Sequence, residues 1–209
     1  AGAENASIRD HGRLSGGAIR DNRFLDVEIA GGPHAGRHAL VLRAAAPSGI
    51  PESHDPAAEF RLLEAAYRAG VKVPEPMWLC LDENVLGRTF CLLRRIAGTA
   101  SGARIVRGKG VGGPLAALAE ALGAQLALIH EIVPGGPHAR DLDFLARPEP
   151  SPALATVTRY RGTLDSLARP YPALEWGLRW LEVNAPPAGE TVLTHGDFRT
   201  GNYAVDETG

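Results

Sequence analysis

The stretch Thr191 to Asn202 reads TVLTHGDFRTGN. Its first four residues are β-branched or aliphatic, which predicts a short buried strand running straight into a loop. On that loop His195, Asp197 and Asn202 fall in the pattern H-x-D-x-x-x-x-N. Such a loop holds a carboxylate and a side-chain carbonyl oxygen at a fixed short separation. That suits a reaction needing a proton acceptor beside a cation ligand. His195 is placed to hold the loop by hydrogen bonding more than to react. A lone His-Gly-Asp also fits a strand end with an ordinary turn, so the rest of the chain decides.

Toward the N-terminus the chain reads as strands with one helix among them. Arg23 to Ile29 places apolar residues at Phe24, Val27 and Ile29, close to strand alternation. Gly31-Gly32-Pro33 breaks it, and His38 to Arg43 is a second short strand, giving a hairpin. Asp55-Pro56 is a helix start, with Asp as N-cap and Pro in the first turn. Phe60, Leu63, Ala66 and Tyr67 then form one apolar face, closed by Gly70 and Pro74. Met77 to Leu81 and Thr89 to Leu93 are further strands around the turn Asp82-Glu83-Asn84. Beyond Gly98 the period changes. Leu115 to Ile132 reads as a long helix with a stripe of Leu115, Leu118, Leu122, Leu126 and Ile129. Thr156 to Leu167 and Leu174 to Val183 are further helices, the second with Trp176 and Trp180 as core or interface packing. The expected fold is therefore α+β in two lobes. An antiparallel-sheet N-lobe spans 1–95, and a mainly helical C-lobe spans 96–209 with the loop 195–202.

Composition narrows the function classes. At 209 residues the chain is one large domain or two small lobes. Its net charge of −2 argues against a nucleic-acid binder, which would carry a basic surplus. No apolar run approaches the roughly 18 residues of a membrane span, and Ala1 to Asp10 has no signal pattern, so a cytoplasmic protein is expected. Cys80 and Cys91 read as small buried apolar residues from a reducing compartment, and no His/Cys spacing suggests zinc. Lys72 and Lys109 are the two lysines among 22 basic residues. With abundant Ala and Gly, that fits a GC-rich bacterial coding bias.

The spacing of His195, Asp197 and Asn202 is that of the catalytic loop in kinases. HGDFRTGN, with LSGGAIRDNRF near the start and HALVLR followed by EFRLLEAA, resembles the aminoglycoside phosphotransferase/choline kinase family. The resemblance is nearest to the branch that also occurs fused to acyl-CoA dehydrogenases, and it runs from about Leu14 to Val205. It implies a two-lobed protein-kinase-like fold that moves the γ-phosphate of ATP (or GTP), with Mg²⁺, to a hydroxyl of a small molecule. By the same resemblance Ser15, Gly16, Gly17 and Arg20 belong to a nucleotide-covering loop. Arg43 contacts phosphate, Glu59 is its helix-borne partner, and Leu92, Leu93, Arg94 and Arg95 lie along the adenine edge. Asp197 is the base, His195 and Arg199 complete the catalytic loop, and Asn202 is the metal ligand. Read without the resemblance, Gly16-Gly17 fits a hairpin turn and Arg43–Glu59 an ordinary ion pair.

Two departures stand out. The family usually has Lys where this chain has Arg43, which keeps the charge but offers a planar fork. The family's second metal-binding Asp comes after the next hairpin, whereas seven residues follow Asn202 here. Asp206 reads as part of a hairpin turn. The expectation is a C-terminally incomplete domain, itself inactive, from an active full-length phosphotransferase. The alternative is a nucleotide-binding pseudokinase or regulatory module, and a metal-dependent hydrolase using His195 and Asp197 is a more distant rival. By family analogy the acceptor is a hydroxyacyl or similar metabolite, with neither nucleic acid nor membrane as partner. The oligomeric state is open.

Overall fold

The computed structural model describes residues 2–14, 20–45, 54–108 and 113–207. Five strands form one antiparallel sheet: β1 (Asn5–Arg13), β2 (Arg20–Ala30), β3 (Gly36–Ala45), β4 (Pro76–Cys80) and β5 (Phe90–Arg94). Their order is β1-β2-β3-β5-β4. With the helices this is the expected α+β arrangement.

Helix α1 (Pro56–Arg68) forms where the sequence writes its own start. The Asp55 carboxylate accepts the Ala58 N–H at 2.7 Å, and Pro56 occupies the first turn, where no intrahelical donor is needed. The helix lays Phe60 against Cys91 and Leu93, with Leu63 and Leu79 beside them. Residues directly opposite in an antiparallel ladder share a sheet face. Arg43 opposes Cys91, so α1 packs on the face that carries Arg43. Leu42, Ala44 and Phe90 make a second cluster, with Leu92 packed on it, on the other face.

The turn at Asp82 is tighter than expected. It is a single helical turn, α2 (Glu83–Leu86), capped by Asp82 and closed by Gly87 in the left-handed region. Another short helix, α3 (Gly102–Val106), precedes α4 (Leu115–His130). Of the stripe read on α4, Leu118 and Ile129 are buried, while Leu115 lies exposed in the first turn. Helix α5 (Pro152–Asp165) starts ahead of its expected Thr156, because the Ser151 hydroxyl caps the Leu154 N–H at 3.2 Å. Helix α6 (Pro172–Val183) leaves Trp176 and Trp180 at 75% and 57% exposure, so neither is a core residue.

Two strand expectations are corrected. Thr191–Thr194 makes no ladder: the Leu193 N–H donates to Ile132 O at 2.8 Å, and Leu193 packs on Ala66, Val71 and Ile129. The segment is apolar because it sits on helices, not because it joins a sheet. Conversely, β1 is a strand that the sequence did not announce. By contacts, Ala1–Leu142 with Leu193–Gly209 forms one compact unit, holding the sheet, α1 to α4 and the loop. Asp143–Val192 forms the other, with α5 and α6 joined by Arg161–Glu175 at 2.7 Å. Among the described residues no helix is long and apolar enough to cross a membrane.

Candidate active site

The loop His195–Asn202 is held at both ends. Leu193 anchors its entry, as described. At its exit Val205 exchanges two backbone hydrogen bonds with Thr99, 2.8 and 3.0 Å, and is buried against Ile105 and Leu118. Between these anchors Gly196 (φ +77°) and Gly201 (φ +106°) take backbone conformations that L side chains rarely adopt, which lets the chain fold back on itself. Asn202 N–H closes the turn onto Arg199 O at 3.0 Å. An aromatic row steadies it: the His195 edge meets Phe198 at 5.4 Å, and Phe198 lies 5.9 Å from Tyr203. The Tyr203 and Thr200 hydroxyls are 3.0 Å apart.

This folding brings the expected polar groups together. The Asp197 N–H donates to His195 Nδ1 at 3.3 Å, so His195 serves the loop's geometry. Asp197 Oδ1 accepts from Arg199 Nε at 2.9 Å. Its Oδ2 and its backbone oxygen both accept from Asn202 Nδ2, at 2.6 and 2.9 Å. With the amide nitrogen turned to Asp197, Asn202 has its Oδ1 left to offer a cation. Asp197 remains 57% exposed, so its carboxylate is open to solvent.

A second polar group lies on the α1 face of the sheet. Arg43 Nη2 meets Glu59 Oε1 at 2.7 Å, with both side chains mostly buried. Arg43 Nε is buried and makes no hydrogen bond to any of the described residues. An orphaned buried donor is costly and calls for an acceptor. A phosphate oxygen would satisfy it, so the pair fits the triphosphate of a nucleotide. Ser15, Gly16 and Gly17 lie outside the described residues; Arg20 opens β2, and its side chain also lies outside them. On β5, Leu93 is buried under α1, Leu92 belongs to the opposite face, and Arg94 is bound by Glu75 at 2.5 Å. Asp206 follows the Val205 bridge directly.

Sequence reasoning did not identify the residues that brace the loop. Gly98 has φ +112°, and a Cβ there would come within 2.8 Å of Val205 O. A Cβ on Gly102 would sit 3.0 Å from Thr200 Cγ2. The only local signal was glycine itself, recurring after the last strand.

The sequence profile of the phosphotransferase enzyme family matches residues 12–209. The chain belongs to this family. It is 31% identical over 172 residues to acyl-CoA dehydrogenase family member 10 of Mus musculus, covering 78% of this chain and 15% of that protein. It is 30% identical over 181 residues to acyl-CoA dehydrogenase family member 11 of Gallus gallus, covering 83% and 22%. The chain thus spans under a quarter of the length of these relatives. Among solved structures it superposes on a "putative aminoglycoside phosphotransferase" of Ralstonia eutropha JMP134 with a TM-score of 0.67. That match has 22% identity and covers 99% of this chain and 56% of the other. The fold is therefore the kinase-like one expected.

Proposed function

We propose that the domain transfers the terminal phosphoryl group of ATP or GTP, with Mg²⁺, to a hydroxyl of a small metabolite in the cytoplasm. The observation that carries this reading is the convergence of Asp197 and Asn202, 2.6 Å apart on one braced loop. Asp197 orients the acceptor hydroxyl and takes its proton as the hydroxyl oxygen bonds to phosphorus and the bond to the leaving diphosphate breaks. Asn202 Oδ1 is the side-chain atom that would hold the cation, which would neutralise phosphate charge when bound. Arg43 grips phosphate with its unsatisfied Nε, and Glu59 fixes the guanidinium. Arg199 supplies positive charge beside the reacting groups. For the acceptor we favour a hydroxyacyl metabolite, by likeness to the acyl-CoA dehydrogenase family members.

A second reading, nucleotide binding without turnover, is favoured by the Asp197 carboxylate being bound on both oxygens by Arg199 and Asn202. On it the 209-residue chain binds nucleotide and stays inactive. Radiolabel transfer from the γ-phosphate, with nucleotide binding measured alongside, separates the two. Under the kinase reading Asp197→Asn leaves binding intact and lowers transfer by roughly 10²–10⁴-fold. Near-normal transfer by that variant removes Asp197 from the mechanism.

A further inference from the structure

We propose that Arg88 is a positioning residue for Arg43: it clamps the end of the sheet that carries Arg43 and so aims that guanidinium at phosphate. This rests on the nucleotide reading above. Arg88 lies between Gly87, which closes α2, and Phe90, which opens β5. Its guanidinium meets acceptors on two other strands. Nη1 donates to Ala45 O at the end of β3, at 2.9 Å, and Nη2 to Asp21 Oδ2 on β2, at 2.8 Å. Arg23 adds its Nε, 3.5 Å from Asp21 Oδ1.

The register shows what this clamp closes. Arg43 sits between Asn22 on β2 and Cys91 on β5. One position further, Ala44 opposes Asp21 on one side and Phe90 on the other, and there the β3–β5 register ends. Ala45 still opposes Arg20 on β2, but it lies past the β5 ladder. Arg88 Nη1 supplies a donor to the Ala45 carbonyl at this point, so a side chain carries the three-stranded grip one position beyond the backbone ladder. Strand ends are where ladders open first, and Arg43 is two residues from this one. Residues directly opposite share a sheet side, and neighbours along a strand alternate. Asp21 and Ala44 therefore lie on the side away from Arg43, and the clamp takes no room from a phosphate.

The chemistry of the clamp suits this task. Glu59 holds Arg43 Nη2 from α1, which leaves Nε for phosphate. Hydrogen bonds weaken steeply off their axis. With one end of the guanidinium fixed by Glu59, a shift of β3 turns Nε away from its acceptor. A partly exposed ion pair adds little by itself, but a bond to the main-chain carbonyl of Ala45 fixes the strand. The arginine fork reaches Ala45 and Asp21 together, whereas a lysine ammonium offers one compact point.

A double-mutant cycle tests this by calorimetry with Mg²⁺, using ATP and inorganic tripolyphosphate as probes. The proteins are the wild type, Arg88→Ala, Arg43→Ala and the double variant. Arg88→Ala should weaken both probes by the same factor, roughly fivefold, the size of one hydrogen bond. In the Arg43→Ala background the same change should cost nothing further, because Arg88 acts through Arg43. Arg88→Lys keeps the charge without the bridge, so it should match Arg88→Ala and replaces it in the cycle if the alanine variant does not fold. Unchanged binding in either Arg88 variant overturns the proposal. A loss that adds in full to that of Arg43→Ala also overturns it, since a merely structural residue weakens both backgrounds alike. So does a loss of ATP binding that spares tripolyphosphate. A wild type that binds neither probe refutes the nucleotide reading itself, and the role of Arg88 with it.

Discussion

Gly98→Ala should loosen the His195–Asn202 loop from a position outside it. Gly98 has φ +112°, and an added Cβ would lie 2.8 Å from Val205 O, 3.0 Å from Val205 C and 3.3 Å from Asp206 N. All three are backbone atoms, so no side chain can swing away. Relief requires moving either Gly98 or the strand-like exit of the loop, and the neighbouring Thr99–Val205 pair of hydrogen bonds goes with it. Backbone strain and two weakened hydrogen bonds together cost about 2–4 kcal/mol, a large share of a typical domain's stability. Gly87→Ala is the control. Gly87 also has positive φ, +73°, but a Cβ there meets nothing within 4 Å, so that variant carries only the left-handed strain, about 1–2 kcal/mol. Urea unfolding of both variants reads the difference, with the Gly98 midpoint expected to fall about 1 M further. Hydrogen exchange at the Thr99 and Val205 amides should accelerate in Gly98→Ala alone. If the two variants lose equal stability, the close approach at Val205 does not brace the loop.

Asp55→Ala removes the carboxylate that accepts the Ala58 N–H and should cost about 1 kcal/mol in thermal unfolding; a change of only a few tenths would mean the cap is not used. A Cβ at Gly12 would stand 2.6 Å from Phe24 Cε1, so Gly12→Ala should displace the ring and destabilise by about 1–3 kcal/mol, and an unchanged melting temperature would contradict the packing. Glu182 is held below its ordinary 4.5, chiefly by its hydrogen bond from Arg179; desolvation opposes this, and the charges of Arg161 and Arg179 with a hydrogen bond from Arg161 add to the lowering. Its contribution is therefore present above about 4.5 and lost as pH falls through the lower folded value. The stability gap between wild type and Glu182→Gln should close in acid, and a gap that is the same at neutral pH and well below 4.5 would refute the pairing.

What could be read in the sequence divides according to where the determining contacts lie. Helix α1 was legible because Asp55, Pro56 and the spacing of Phe60, Leu63 and Ala66 determine it locally. The geometry of the candidate loop was legible for the same reason: His195, Asp197, Arg199 and Asn202 are covalently close, so their spacing nearly dictates how they meet once Gly196 and Gly201 permit the turns. β1 was not, because Asn5–Arg13 is almost wholly exposed and carries no alternation; its conformation comes from the ladder to β2. Thr191–Thr194 misled for the converse reason, since burial against helices and burial in a sheet select the same apolar residues. Trp176 and Trp180 share a helix face, but periodicity states only which side they share and not what covers it. The braces obey the same logic. Thr99 and Val205 lie at opposite ends of the C-terminal half and meet only once the chain has folded, and neither residue type marks itself. The polar groups that meet on this loop are thus encoded by their neighbours in sequence, while the groups that hold it still are encoded by the fold. Substitutions of the second kind, such as Gly98→Ala, are therefore the sharper test of whether the structure, and not the motif alone, positions Asp197.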